Sequence, residues 1–180
     1  LSSKQYQHLT KRITKTAEQA IDRLCEFAGH SAFTTVAMEK AFGYGKTSLP
    51  PLIYDLKDGH KIDISGQIDR IDIDESGRYF LIIDYKSGNA YINIAEVYYG
   101  LKLQLLTYIL AVRNCSTGLN LAADTIPAGI LYCFLKSSLL TFAKEMSENQ
   151  IKTELAKQMR MSGWVLLDPE LIKKIDDSSS

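Results

Sequence analysis

The stretch that decides the fold runs from Ile62 to Lys86 and reads IDISGQIDRIDIDESGRYFLIIDYK. Two β-rich runs, residues 62–74 and 79–86, flank a short connection at residues 75–77, and this pattern predicts a β-hairpin. The second run is continuously apolar from residue 79 to residue 83, as is typical of a strand that is buried on both faces. We therefore expect a hairpin whose second strand lies inside the protein.

The buried run ends in two charged residues, Asp84 and Lys86. Because side chains alternate along a strand, residues two apart point to the same face. A carboxylate at the end of a buried strand also needs a partner, since an isolated buried charge is costly. The sequence thus predicts that the Lys86 ammonium and the Asp84 carboxylate share one face.

The first run carries a second acid where its apolar alternation breaks. Ile68 and Ile71 have opposite parity, so the break falls at Asp69-Arg70, which predicts a β-bulge there. A hairpin centred on the turn would place Asp69 roughly opposite Asp84. Two carboxylates and a lysine would then converge as a hard-cation site with oxygen ligands. The alternative interpretation is a buried ion-pair network with no chemical role.

Composition places the chain among soluble globular domains. Its 180 residues suit one domain, and 46% hydrophobic with 23% charged residues is ordinary. The formal net charge is zero, so any contact with nucleic acid would need a local basic patch. No apolar run approaches the roughly 20 residues of a membrane span. The three cysteines, Cys25, Cys115 and Cys133, are far apart, which favours reduced thiols in a cytosolic protein.

The order of the predicted elements indicates an α/β (α+β) fold with a mixed central β-sheet flanked by helices. The remaining elements are a helix over 3–29, strands over 34–42, 52–56 and 126–134, helices over 94–112 and 147–159, a loop over 114–125, and a short strand or packing segment over 163–167. We expect one domain over residues 1–176 and a disordered tail over 177–180. Because helical sequence begins almost at once after Leu1, we also expect the chain to be a piece of a longer protein.

Three motifs in this order resemble those of a known family: Gly66-x-x-Asp69-Arg70, Asp84-Tyr85-Lys86 and Gln104-x-x-x-Tyr108. They are similar to the motifs of the PD-(D/E)XK nuclease superfamily of the RecB type. The flanking segments 39–43, 99–108 and 161–168 narrow the resemblance to the C-terminal nuclease domain of the AddB subunit of AddAB ATP-dependent helicase/deoxyribonucleases. The resemblance covers nearly the whole chain and implies a restriction-endonuclease-like core.

The resemblance implies roles for the acids and the lysine. Asp69 and Asp84 would be side-chain ligands of Mg²⁺ or Mn²⁺, and the main-chain carbonyl of Tyr85 would be a further ligand. Lys86 would hold or help deprotonate the attacking water and balance the charge on the phosphate. Glu39 could reach the same metal from its strand, or it could be a surface acid.

The resemblance also suggests residues that touch the substrate. Gln104 and Tyr108 are four apart and share a helix face, so they would orient the substrate strand. Core packing of Tyr108 with an exposed Gln104 is the alternative. Arg70 could pair with a carboxylate or contact a phosphate, and the sequence leaves both open.

The implied function is metal-dependent exonuclease cleavage of single DNA strands at double-strand breaks, in complex with an AddA-like subunit in the bacterial cytoplasm. The alternatives are a non-catalytic DNA-holding or subunit-contact module of the same fold, and a stand-alone nuclease of the same superfamily. Two family features have no match in the chain: an upstream histidine and the four cysteines of an iron–sulfur cluster. We therefore expect this fragment to bind no cluster, to bind its metal poorly and to cut slowly.

Overall fold

The computed structural model describes residues 3–46, 48–88, 90–114, 119, 121–122, 124–135, 147, 150 and 160–177. The helices are α1 (Ser3–His30), α2 (Ile94–Tyr98), α3 (Gln104–Asn114) and α4 (Pro169–Ile175). The strands are β1 (Phe33–Phe42), β2 (Leu52–Asp55), β3 (Lys61–Ile64), β4 (Gly66–Asp74), β5 (Tyr79–Lys86), β6 (Ile126–Phe134) and β7 (Ser162–Val165). None of these helices is long and apolar enough to cross a membrane.

A five-stranded mixed sheet of order β1-β4-β5-β6-β7 organises the molecule. The predicted hairpin is present: β4 and β5 pair antiparallel, with Ile71 opposite Ile82. Its turn closes through a hydrogen bond from the Gly77 amide to the Asp74 carbonyl, and Gly77 adopts a positive φ that suits glycine. Strand β6 then runs parallel to β5, which makes the sheet mixed. The predicted fold class is confirmed.

Both faces of β5 are buried because helices cover both faces of the sheet. Phe80 and Ile82 pack on one face against α3, whose residues Tyr108 and Val112 belong to the same core. Leu81 and Ile83 point to the other face, which α1 and α4 cover through Phe27, Leu24, Leu171 and Ile175. The continuous apolar run that suggested an interior strand therefore reflects a sheet enclosed between two helical layers.

Two predicted elements are each divided in the structure. The run over residues 62–74 breaks at Ser65, because β3 pairs with β2 in a separate two-stranded sheet while β4 joins the main sheet. The helix predicted over 94–112 is two helices. Gly100 has a φ of 76° and donates to the Val97 carbonyl, which ends α2 in the left-handed manner typical of glycine.

The predicted bulge lies on a different strand. The register between β1 and β4 shifts between Thr35 and Ala37 on β1, and no shift is recorded at Asp69-Arg70. The alternation nevertheless breaks where expected, since Ile68 and Ile71 enter the same core. The irregular backbone closest to Asp69 is at Glu39 on the neighbouring strand, whose φ is 49°.

The C-terminal part of the described chain contains a helix that the sequence analysis missed. Asp168 caps α4 by accepting hydrogen bonds from the Glu170 and Leu171 amides, and Pro169 occupies the first turn. This Asp-Pro pair is a recognised helix-start signal. Asp177, expected in a disordered tail, lies 2.7 Å from His30 Nδ1 through its Oδ1. Residues 148–149 and 151–159 of the predicted helix over 147–159, half of the loop over 114–125 and residues 178–180 lie outside the described residues.

Candidate active site

Asp84 is the buried centre of the candidate site. It lies near the end of β5, faces α3, and is only 1% exposed. The Lys86 ammonium lies 2.5 Å from Asp84 Oδ2, yet among the described residues this oxygen accepts no well-aligned hydrogen bond. Burial raises the pKa of Asp84; the neighbouring Lys86 opposes the rise, and the negative charge of Asp69 adds to it. A buried oxygen with one offset ammonium has room for a further cationic partner.

Asp69 approaches Asp84 from the adjacent strand. The pairing of β4 with β5 extends to Arg70 opposite Ile83, which leaves Asp69 and Asp84 next in register. Asp69 Oδ2 accepts a hydrogen bond of 2.8 Å from the Tyr85 amide, so its carboxylate fills the gap between the strand ends. Because the N–H and C=O of a strand residue point to the same side, the Tyr85 carbonyl borders the same gap.

A chain of hydrogen bonds connects Lys86 with α3. Lys86 Nζ donates to Gln104 Oε1 at 3.2 Å, and Gln104 Nε2 donates to the Tyr108 hydroxyl at 2.8 Å. Burial lowers the pKa of Lys86, but the ion pair with Asp84 outweighs burial, and the net shift is upward. The lysine is therefore a cation at neutral pH, held between a carboxylate and an amide oxygen.

Tyr108 is packed rather than open to the cleft. Its side chain is buried and meets the Phe42 ring edge-to-face, with 6.1 Å between ring centroids. Gln104, by contrast, is exposed. The burial of Tyr108 and the exposure of Gln104 are those of the packing alternative. The hydrogen bonds nevertheless connect Gln104 to Lys86 directly and Tyr108 to Lys86 through Gln104.

Tyr132 is a site residue that the sequence analysis missed. It sits on β6 directly beside Asp84 in the parallel register, and Lys86 Nζ lies 5.6 Å from the centroid of its ring. Burial raises the pKa of its hydroxyl, and the Asp84 carboxylate adds to the rise. Only the pairing of β5 with β6 reveals this neighbour, because the two residues are far apart in sequence.

Arg70, for which the sequence left open a carboxylate partner or a phosphate contact, lies on the face of the sheet opposite to Asp84. Its guanidinium donates two hydrogen bonds of 2.7 Å to the Asp72 carboxylate, and both residues are buried. It pairs in register with Ile83, whose side chain belongs to the core beneath α1. Of the two alternatives left open by the sequence, the ion pair is the one observed.

Glu39 does not join the two aspartates. Its side chain is exposed and accepts a hydrogen bond from the Gln67 amide. Within the described ranges, no group of three or more His, Cys, Asp or Glu side chains could hold a metal ion. A divalent ion would therefore depend on Asp69, Asp84, main-chain oxygen and water. Mg²⁺ in particular commonly uses one or two carboxylates and retains several waters, so this donor set fits it.

The fold and the site together define the class. A mixed sheet enclosed by helices, with two acids and a lysine at the end of its central hairpin, is a restriction-endonuclease-like α/β domain. The model of the PD-(D/E)XK nuclease superfamily matches residues 1–177, and the chain belongs to this superfamily.

The relatives found by sequence comparison are bacterial proteins, each named as a subunit of an ATP-dependent helicase/deoxyribonuclease. The protein of Thermoanaerobacter sp. (strain X514) is 37% identical over 179 residues, which is 98% of this chain and 15% of that protein. The proteins of Bacillus mycoides (strain KBAB4) and Bacillus anthracis are each 36% identical over 184 aligned positions, covering 100% of this chain and 16% of theirs. The chain thus spans about a sixth of the length of these relatives.

Proposed function

We propose that this chain is a divalent-metal-dependent deoxyribonuclease domain that hydrolyses phosphodiester bonds. The observation that carries the proposal is the buried Asp84 Oδ2, which accepts no aligned hydrogen bond from any described residue and lies beside Lys86 and close to Asp69. A purely structural ion-pair network would be expected to satisfy its most buried oxygen. A site that receives a cation from solution would instead leave such an oxygen available for the cation.

Each residue of the site would have a separate role in the reaction. A bound Mg²⁺ or Mn²⁺, held by Asp69, Asp84 and the Tyr85 carbonyl, would supply polarisation of the phosphoryl oxygen and acidify water. The Lys86 ammonium would hold the attacking water and balance the negative charge that builds on the phosphate. Gln104 fixes the position of that ammonium through its Oε1, and Tyr108 holds the Gln104 amide in turn.

The names of the relatives support a proposal for the biological setting. Proteins named as subunits of a helicase/deoxyribonuclease imply a complex that acts on DNA. We propose that this domain trims single strands at double-strand breaks in the bacterial cytoplasm, as part of a longer chain that works with an AddA-like subunit. Exonucleolytic processing for recombinational repair is the role that fits such an assembly.

Cleavage of a labelled single-stranded oligonucleotide with Mg²⁺ or Mn²⁺ tests the proposal. Asp84→Asn keeps the size of the side chain but removes the charge that would hold the ion, so cleavage should fall to background, and EDTA should abolish it in the wild type. Asp63→Asn, an exposed acid on β3, is the matched control and should cut normally. Metal-dependent cleavage that survives in Asp84→Asn would contradict the proposal. A wild type that binds DNA without cutting would favour the non-catalytic module.

A further inference from the structure

Three tyrosines form an unusually exposed aromatic surface around α2. Tyr91, Tyr98 and Tyr99, here called the aromatic face, are 57%, 84% and 75% exposed. The rings of Tyr98 and Tyr99 meet edge-to-face with 5.3 Å between their centroids. Single exposed apolar residues are ordinary, but two exposed rings in contact, with a third exposed ring near the same short helix, mark a surface suited to a ligand.

Lys102 is the residue that connects this aromatic face with the candidate active site, because its charge acts on the hydroxyl of Tyr132, which lies beside Asp84. The chain from Tyr99 leads through Lys102 to Gln104, the residue that holds the Lys86 ammonium. The Lys102 ammonium lies 3.9 Å from the centroid of the Tyr91 ring and 2.7 Å from a Glu96 carboxylate oxygen. A cation thus lies over the Tyr91 ring and near enough to Tyr132 of the candidate site to act on it electrostatically.

We propose that the aromatic face binds unpaired nucleobases of a single DNA strand by stacking, while the phosphates of that strand pass Lys102 toward Lys86. This inference rests on the proposed nuclease function and specifies the form of its substrate. Bases in a duplex already stack on each other, so only an unpaired strand can offer their faces to tyrosine rings. Stacking also tolerates any sequence, because every base has a π-face.

The composition of the surface favours a nucleic-acid strand over a protein partner. The same segment exposes the apolar side chains of Ile94 and Leu101. It also carries three rings with hydroxyl groups and a lysine, which match the bases and phosphates of one strand. Lys102 acts on Tyr132 of the candidate site, and this connection to a proposed phosphodiester site suits a substrate strand better than a protein partner.

Binding without cleavage provides the test. We would measure fluorescence anisotropy of a labelled single-stranded 12-mer in EDTA, with the wild type and a Tyr98→Ala/Tyr99→Ala variant. Stacking is worth about 1–3 kcal/mol per base, so affinity should fall about 5- to 150-fold. Affinity for the same sequence as a duplex should change less than about twofold. Tyr6→Ala, a 65% exposed tyrosine on α1, is the matched control and should bind normally.

A 12-mer of abasic nucleotides separates ring stacking from charge. This probe keeps its phosphates but offers no bases, so the wild type and the double variant should bind it equally weakly. The proposal would be overturned if the wild type and the double variant bound the normal single strand equally well. It would also be overturned if the double variant lost as much affinity for the duplex as for the single strand. Either result would favour a protein as the ligand of the aromatic face.

The two proposals fail in distinguishable ways. Asp84→Asn should abolish cleavage and leave the effect of the tyrosines on binding intact. If the tyrosine variant binds normally while Asp84→Asn loses cleavage, the stacking surface is wrong and the nuclease stands. If no protein cuts, the nuclease assignment fails whatever the tyrosines do.

Discussion

At the scale of single residues, the proposed chemistry depends on one carboxylate oxygen. Asp84 Oδ2 lies 2.5 Å from the Lys86 ammonium, and a divalent ion would have to bind the same carboxylate. Two cations that share one buried carboxylate repel each other, and this repulsion is only weakly screened away from water. Lys86 should therefore weaken metal binding even as it assists the reaction.

Substitution of Lys86 by glutamine separates these two effects. Lys86→Gln should lower the rate of cleavage by about 10²–10³-fold, because a positive charge opposite the developing phosphate charge is lost. The same change should leave Mn²⁺ affinity equal or higher, because the competing ammonium is gone. Single-turnover cleavage and Mn²⁺ titration by calorimetry measure the two quantities. A parallel loss of metal affinity would show that Lys86 maintains the shape of the site and would contradict this division of roles.

What the sequence could predict at this scale depends on which neighbours are local. The pairing of Asp84 with Lys86 follows from strand parity alone, and the link from Gln104 to Tyr108 follows from helix periodicity. Tyr132 escapes sequence analysis because a parallel register between distant strands leaves no local trace. The partner of Arg70 stays open in the sequence because its choice between Asp72 and a phosphate depends on which face of the sheet it occupies.

At the scale of elements, the contact between β1 and β4 explains why Gly66 begins the first motif. A Cβ on Gly66 would lie 2.8 Å from two atoms of the Phe42 ring, which is 1% exposed and packs on Tyr108. A shift of the Phe42 ring would displace Tyr108, whose hydroxyl accepts the hydrogen bond from Gln104. The glycine thus serves the site through packing rather than through an unusual backbone conformation.

Gly66→Ala should destabilise the domain by about 1–3 kcal/mol, the usual cost of overpacking a core. It should also slow cleavage through the displaced Tyr108. Gly88→Ala is the matched control, because no described residue apart from its chain neighbours lies within 4 Å of its added Cβ. Urea denaturation of both variants provides the measurement, and equal stability would show that the Phe42 ring yields easily.

Element boundaries were harder to predict than element types. The helical period of residues 94–112 runs straight through Gly100, and the sequence pattern could not show that the glycine would take a left-handed conformation. The break leaves Leu101 74% exposed, although the period places it on the apolar stripe of one helix. The same break forms the surface that carries the aromatic face.

The turn between β4 and β5 also links the hairpin to α4 through Asp74. This buried carboxylate accepts hydrogen bonds from Ser76 and the Tyr79 amide, and Lys174 Nζ lies 3.2 Å away. Burial acts to raise the pKa of Asp74, but these partners outweigh it and lower the pKa. A lowered folded-state pKa gives stability that is present above the unfolded pKa and lost as the pH falls through the folded one.

Asp74→Asn should therefore cost about 1.5–3 kcal/mol at neutral pH, the range for hydrogen bonds to a charged group. The difference from the wild type should shrink in acid, below the ordinary aspartate pKa of about 4, as the native carboxylate takes up a proton. Urea denaturation at neutral and acidic pH measures the change, with exposed Asp63→Asn as the control. A destabilisation that stays constant with pH would mean that shape, not charge, matters at this position.

At the scale of the whole molecule, the two helical layers have different tasks. The layer of α1 and α4 covers with apolar side chains the face of the sheet on which the Arg70–Asp72 pair of β4 lies. The α3 layer covers the other face and supplies Gln104 and Tyr108 to the strand ends. Since the first layer has no part in the site, variants there should affect stability without changing metal dependence.

Binding of a divalent ion to the native site should stabilise the whole domain. A ligand that binds only the folded state adds about 2.7 kcal/mol at a concentration 100 times its Kd, and each kcal/mol raises Tm by about 2–4 °C at this chain length. Mn²⁺ should thus raise the melting temperature of the wild type and of Tyr98→Ala, whose side chain is exposed, but not that of Asp84→Asn. Thermal denaturation at increasing Mn²⁺ concentrations tests this without any cleavage assay. An equal rise in Asp84→Asn would locate the ion at other carboxylates and remove Asp84 from the metal site.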